Sequence, residues 1–250
     1  MGTEVGMSQL VLIHGPGAGG CSASFRYQLE RFPGALAPDL PGHLEGESFD
    51  NVSGYTHWLR DWLRDHGHIG GLVLAGFTLG ACIALDYALT WPEEVDGLLL
   101  MTVAMRPKER APGSLEFRLD AARGGEPMRE WLASMEHMLL FVEPGLRNDL
   151  LECHKRVGPV SQHDDLVAID RFDARDRIHE LRAPLTLVRG VDDPMQPVEY
   201  ELEIHEAVPG SKYVKLERAG HFPHCERPDD VNAELAELLG ERLSAQRLDK

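Results

Sequence analysis

Leu72-Val-Leu-Ala75 runs directly into Gly76-Phe-Thr-Leu-Gly80, and that in turn into Ala81-Cys-Ile-Ala-Leu85. An apolar run, a tight turn with glycine at both ends and a second apolar stretch read as buried strand, sharp turn and helix. Small residues flank the centre because so sharp a turn leaves no room for side chains there. This context is what a G-x-S-x-G elbow requires. The central residue projects outward, and the helix behind it offers free N–H groups and the positive end of its dipole. Pro92 lies just past the helix, as a stop should.

Outward from this point, short apolar runs recur. Leu10-Val-Leu-Ile13 precedes His14-Gly-Pro-Gly-Ala-Gly-Gly20, and Ala35-Leu-Ala37 precedes Pro38-Asp-Leu-Pro-Gly42. Leu98-Leu-Leu-Met-Thr-Val103, Leu185-Thr-Leu-Val188 and Tyr213-Val-Lys-Leu216 follow. Helical patterns separate them: 55–65, with Trp58, Leu59, Trp62 and Leu63 on one stripe, and a last helix from near Pro228 through Leu235, Leu238 and Leu239. The alternation predicts an α/β fold with a mostly parallel sheet. The stretch from about Lys108 to Leu181 breaks the rhythm, with helical patterns at 115–122, 128–140 and 146–156 and no strand-like run. The expectation is a core of 1–107 and 182–250, with 108–181 as a helical cap over the sheet's C-terminal edge, where open α/β sheets bind ligands. An insertion without a functional role is the alternative. Met135, Met138, Leu139 and Phe141 either line a pocket or form the cap's own core. Arg106, Arg118, Arg123 and His137 either meet an acidic substrate or belong to a solvated helix face.

Two further motifs follow the last two strands: Gly190-Val-Asp-Asp-Pro-Met-Gln-Pro197 and Gly220-His-Phe-Pro-His-Cys-Glu-Arg-Pro228. With the elbow they make the chain resemble the α/β-hydrolase superfamily, whose members carry a carboxylate in G-x-x-D-x-x-x-P and a base in G-H-x-x-x-x-E-x-P at these stations. The order nucleophile, acid, histidine agrees. The resemblance extends to His14-Gly15 and to Asp39-Leu-Pro-Gly-His43, and so covers nearly the whole chain outside the cap. It implies an α/β-hydrolase fold with a sheet of about six to seven strands. With about nine residues before the first core strand, the antiparallel hairpin that often opens the fold is expected to be absent or reduced. His221 is the expected general base, since imidazole titrates near neutrality. Asp193 is the expected partner of its Nδ1. The spacing from Gly190 and to Pro197 favours Asp193 over Asp192, and the Gly220-His221 pair favours His221 over His224.

Two positions depart from the pattern. Thr78 stands where the superfamily normally has serine. Threonine carries a hydroxyl able to attack a carbonyl. Its methyl crowds the path, however, and a β-branched residue at positive φ adds ~1–3 kcal/mol of strain. As a barrier, that is worth about one to two powers of ten in rate. Thr78 is therefore a slow nucleophile, a hydrogen-bonding group in a site that forms no acyl-enzyme, or the mark of lost catalysis. The resemblance also implies oxyanion N–H groups from Leu79 and from the residue after His14-Gly15. That residue is Pro16, which has no N–H, and losing one donor costs about 10²–10³ in rate. Gly17 on a shifted loop is the substitute. Phe77, Met105, Met138 and Phe222 are the expected substrate contacts.

Composition sets the outer limits. The chain has 250 residues, enough for one large domain, with 43% hydrophobic and 26% charged residues. A net charge of −16 argues against nucleic acid and anionic membranes as partners. The opening residues 1–7 lack the basic and apolar regions of a signal peptide, and the four scattered cysteines, without CxxC spacing, read as reduced thiols of a cytoplasmic protein. The histidines lack metal-ligand spacing, and Gly15-Pro-Gly-Ala-Gly-Gly20 fits an oxyanion loop better than a dinucleotide fingerprint. The expected function is hydrolysis of a small ester, lactone, thioester or activated C–C bond through Thr78, His221 and Asp193, with no cofactor or metal and a small-molecule substrate. The alternatives are a non-hydrolytic lyase, cyclase or cofactor-free enzyme using His221 as base, and a ligand-binding homologue without chemistry. Oligomeric state is left open.

Overall fold

The computed structural model describes residues 8–139 and 141–240; the opening heptapeptide and Leu140, the last residue of one expected helix, lie outside them. Five strands form one parallel sheet in sequential order: β1 Gln9–Ile13, β2 Leu72–Phe77, β3 Val95–Met101, β4 Leu185–Gly190 and β5 Lys212–Leu216. The expected strand at 35–37 is reduced to a single bridge between Leu36 and Val11. Pro33-Gly34 before it and Pro38 after it leave too few N–H groups for a longer ladder. The described sheet therefore has five strands rather than six to seven, and no antiparallel hairpin opens it.

Period-two alternation decides which side chains go where. Val11, Ile13, Leu74, Leu98 and Leu100 pack on one face in a cluster with Tyr55, Leu59, Leu63 and Ile83. Leu10, Leu12, Val73, Ala75, Phe77, Leu99 and Met101 pack on the other with Phe25, Val231 and Leu235. Both faces being covered, β1 to β4 read as mostly apolar runs, as parallel strands do, while the edge strand β5 carries exposed Lys212 and Lys215. The first face is covered by α2 (Val52–Asp65) and α3 (Leu79–Thr90), after a short α1 (Arg26–Arg31) that lies with the other face. Asn51 caps α2 by accepting the Gly54 N–H at 2.8 Å.

Between β3 and β4 the chain is helical: α4 Glu116–Ala121, α5 Gly125–Ser134 and α6 Pro144–Arg171. α6 outruns the expected 146–156 because a kink at Gly158, with φ 82°, is followed by Pro159 and a second helical arm. Leu166, Ala168 and Ile169 of that arm pack in the same cluster as β1–β3. Among the described residues three further helices follow: α7 Glu199–Ala207, which carries no strong sequence signal, α8 Pro223–Glu226 and α9 Pro228–Leu238.

The expectation of four reduced cysteines is corrected. Cys21 and Cys153, 132 residues apart, have Cα atoms 6.7 Å apart and form a disulfide, while Cys82 and Cys225 are free and buried. The fold, not the spacing, brings them together. Among the described residues no helix is long and apolar enough to cross a membrane.

The chain passes from β1 to the Leu36 bridge on one side of β1 and then returns to β2 on the other. This reversal parts the loops after β1 and β2 and opens a crevice at the carboxyl ends of the strands.

Three buried histidines carry a stability cost at acid pH. His14, His154 and His224 are enclosed, and desolvation lowers all three, the last two to about 3. Because the unfolded chain binds these protons first, stability is lost as pH falls from the ordinary histidine range towards the folded values. Between pH 7 and pH 5, His154 and His224 each cost about 2 kcal/mol. Thermal unfolding should therefore shift down by about 10 °C over that interval. The pH dependence should flatten in a His154→Leu/His224→Leu double variant; an unchanged slope would contradict the assignment.

Candidate active site

The crevice gathers residues from the ends of β1, β2, β4 and β5. The elbow comes first. A Cβ on Gly76 would sit 2.2 Å from the Gly80 carbonyl oxygen, and one on Gly80 would sit 1.9 Å from that of Ile13. Glycine is thus required at both positions by backbone contact, as the sequence suggested. Between them Thr78 is held at φ 48°, ψ −107°, its N–H donating to the Met101 carbonyl at 3.0 Å. At the start of α3 the Ala81 and Cys82 N–H groups donate to the Thr78 carbonyl, both at 3.1 Å, which leaves those of Leu79 and Gly80 without an intrahelical acceptor. The Leu79 side chain points into the core.

Asp193 follows β4 and His221 follows β5. The His221 Nδ1 lies 3.0 Å from both carboxylate oxygens of Asp193. An ionised carboxylate only accepts, so Nδ1 carries the proton and Nε2 is the basic nitrogen. Burial raises the Asp193 carboxyl, but the His221 bond and N–H groups of Met195 at 2.8 Å and Gln196 at 3.3 Å hold it below the usual carboxylate range. Asp192 instead donates its N–H to the Ala219 carbonyl. The two loops are pressed together: a Cβ on Gly190 would lie 2.1 Å from the Gly220 carbonyl oxygen. His224 is fully buried between Phe25 and Phe77, and neither of its nitrogens has a hydrogen-bond partner.

His221 and Thr78 line one cavity of about 130 Å³, shared with Pro16, Phe77, Met138 and Phe222. The Thr78 hydroxyl, however, makes no hydrogen bond with the imidazole. Its oxygen would lie 2.1 Å from a Cβ on Gly15, so it rests against that α-carbon, buried and without any hydrogen bond. The expected convergence of three side chains is therefore met by Asp193 and His221 and not by the Thr78 hydroxyl. The reason is local: with φ positive and the backbone pinned at both ends, the β-branched side chain has few places for its methyl and its oxygen.

Other expected residues divide. Met105 is in the core, its carbonyl accepting the Ala174 N–H, and does not line the cavity. Met135 and Leu139 are core, and Phe141 is exposed. Gly17, at φ 64°, lies under the second arm of α6, where its Cβ would meet the Gln162 amide at 2.5 Å. Arg106 pairs with Glu203 and Arg123 with Asp120, both at 2.8 Å, and His137 is exposed; Arg118 alone of the four lines the cavity.

A model described as the alpha/beta hydrolase family matches residues 10–234. The chain belongs to that family. Among curated members it is similar to a 2-hydroxy-6-oxononadienedioate/2-hydroxy-6-oxononatrienedioate hydrolase of Paraburkholderia phymatum, at 24% identity over 96% of this chain and 89% of the relative. A pimeloyl-[acyl-carrier protein] methyl ester esterase of Aliivibrio fischeri is 26% identical over 96% of each chain. Among solved structures, an enol-lactonase of Burkholderia xenovorans superposes with a TM-score of 0.81 at 17% identity, over 96% of this chain and 94% of the other, which shows the shared fold.

Several residues of this alpha/beta hydrolase site escaped the sequence reading. Glu226, quoted only as part of a motif, accepts the Gly220 N–H at 2.5 Å and the Phe141 N–H at 3.3 Å, and so clamps the loop carrying His221. Gln196 lies within the quoted Asp193 motif and receives a hydrogen bond from the Lys108 ammonium. Thr102, at φ 55°, donates to the His221 carbonyl at 3.4 Å. Lys108, Thr102 and Gln162 carried no local signal. Among the described residues no group of three or more His, Cys, Asp or Glu is placed to hold a metal ion.

The elbow contacts yield a direct test. Gly80→Ala should cost at least about 3 kcal/mol of stability, because backbone rather than a flexible side chain must yield. Gly34→Ala, whose Cβ would meet nothing within 4 Å, should be near neutral. Chemical denaturation of the two variants beside the parent distinguishes them.

Proposed function

We propose that the protein hydrolyses small ester, lactone, thioester or activated C–C substrates, with Thr78 as nucleophile, His221 as general base and acid, and Asp193 as the group that orients and stabilises the imidazole. The supporting observation is the Asp193–His221 pair, its basic nitrogen on the cavity that Thr78 also lines. Segment 108–181 serves as the lid. Relatives named as a 2-hydroxy-6-oxononadienedioate/2-hydroxy-6-oxononatrienedioate hydrolase and as a methyl ester esterase fit this range.

In this reading, substrate entry turns Thr78 about χ1 so that its hydroxyl leaves Gly15 and donates to His221 Nε2. Hydrogen bonds of this kind often form only in the loaded site. Oγ1 then bonds to the substrate carbonyl carbon as its proton passes to Nε2. The Leu79 N–H faces the developing oxyanion at the start of α3. His221 returns the proton to the leaving group, and a water molecule, deprotonated by the same nitrogen, cleaves the acyl-threonine. Pro16 supplies no N–H to this oxyanion, and Thr78 carries both its strain and an unpaired hydroxyl. Each lowers the expected rate.

A second reading is favoured by the orientation of the Thr78 hydroxyl: His221 deprotonates water or substrate directly, and no acyl-enzyme forms. Variants of Thr78 separate the two readings with p-nitrophenyl butyrate as reporter. Under the first, Thr78→Ser raises kcat/KM about ten- to hundredfold by removing the methyl and its strain. Thr78→Ala then abolishes turnover, and intact-mass spectrometry of rapidly quenched enzyme finds an added acyl group on Thr78. Activity retained in Thr78→Ala but lost in His221→Ala would sink the first reading and establish the second.

A further inference from the structure

The cavity wall carries a group of cationic side chains besides the reacting residues. Lys108, Arg110 and Arg118 all line it. Arg110 is spoken for: its Nε donates to Asp170 at 2.5 Å. Lys108 and Arg118 have no carboxylate within ion-pair distance among the described residues, in a chain whose net charge is −16. Every cation of this kind leaves water at a cost that a counter-charge normally offsets. Here desolvation lowers both Lys108 and Arg118, the latter to about 10.

Neutral groups hold both side chains in place. The Lys108 ammonium donates to the Gln196 side-chain carbonyl, and Gln196 is itself fixed by donating Nε2 to the Val103 carbonyl at 2.6 Å. The Arg118 guanidinium donates to the Ser114 carbonyl and, through Nε, to Gln162 Oε1 at 3.3 Å. That same oxygen accepts the Trp131 indole N–H at 2.6 Å. With its oxygen taken twice and its Nε2 donating to the Met135 sulfur at 4.0 Å, Gln162 is fully committed to holding the Arg118 side chain. Two cations, each braced by neutral partners, border one cavity. Such bracing fixes charge without cancelling it, as a site awaiting an anion requires.

We propose that Lys108 and Arg118 form a recognition clasp for a carboxylate on the substrate, distinct from the bond that is broken. The charge balance selects a monoanion. Arg110 is neutralised by Asp170, Glu109 also lines the cavity, and Glu201 and Asp193 act on Lys108 from nearby, so the wall is too weakly positive for a phosphate dianion. The substrate class is thus a small acid carrying its scissile ester, lactone, thioester or C–C bond at a distance from the carboxylate. This assignment rests on the hydrolase reading for the identity of the reacting end, but not for the binding of the anion.

A matched pair of substrates tests it: p-nitrophenyl hemiglutarate, which carries a free carboxylate, and p-nitrophenyl valerate, its neutral counterpart. The parent protein should prefer the anionic ester in kcat/KM by about tenfold or more. Arg118→Gln and Lys108→Gln should each erode that ratio at least tenfold, mainly through KM, and Arg118→Lys should restore part of it. Both substrates are read on the same preparation, so a fall in the folded fraction cancels from the ratio. Binding is measured separately by titration calorimetry with monomethyl glutarate, dimethyl glutarate and inorganic phosphate. Monomethyl glutarate should bind, more weakly in Arg118→Gln, with the dimethyl ester and phosphate at least tenfold poorer. If neither ester is turned over but this binding order holds, the hydrolase reading fails and the clasp stands. Equal binding of the mono- and dimethyl esters, tighter binding of phosphate, or an Arg118→Gln variant that binds monomethyl glutarate as well as the parent would overturn the clasp.

Discussion

The contact of the Gly80 α-carbon with the Ile13 carbonyl, 1.9 Å from where a side chain would begin, governs the geometry of this molecule more than any other. It lets α3 start hard against β1. The chain leaving β2 must then turn within two residues, and the residue at the apex has no freedom but to adopt positive φ. Thr78 accepts that conformation against the preference of a β-branched side chain, and the strain is retained because packing on both sides of the turn over-determines it. The apex thereby stands at the rim of the crevice where the strand order reverses, and the loops after β4 and β5 bring Asp193 and His221 to the same rim.

Around this fixed point the remaining loops are held by polar groups rather than by more apolar packing. Glu226 fastens the His221 loop through the Gly220 N–H. His14 accepts the Leu40 N–H at 2.9 Å and so joins the loops after β1 and the Leu36 bridge. His43 and Tyr55 both bind Asp165, at 3.0 and 2.9 Å, and anchor the far arm of α6 to the sheet side. Each bond satisfies a group that would be costly to bury alone. The result is a rim whose loops are tied to one another by polar groups, around a cavity lined by both apolar and charged side chains.

The parts of this arrangement visible in the sequence were those written in backbone requirements. Gly76 and Gly80 declared the elbow, and the glycines and prolines around Asp193 and His221 declared the two loops, because only such residues fit those turns. The strands were legible from continuous apolar runs. What stayed hidden depends on side chains brought together from afar: the Cys21–Cys153 pairing, the Gln162 bracket on Arg118, and Lys108 beside Gln196. The second arm of α6 was hidden for a different reason, since Gly158-Pro159 reads as a stop and the structure uses it as a kink. The direction of the Thr78 hydroxyl was not readable either, because it is set by a rotamer against Gly15 rather than by residue type.

The disulfide has a mechanical corollary. Cys21 closes the glycine-rich loop that begins at Gly15, and Cys153 sits on the near arm of α6, directly above it. A covalent rivet between floor and ceiling means that these two pieces travel as one rigid plate. Any aperture wide enough to admit a molecule must then open along the unriveted margin, where α4 and the strip from Lys108 to Arg110 overhang the chamber. The charged groups that face the interior stand on that free margin, so an incoming acid would meet them on its way in.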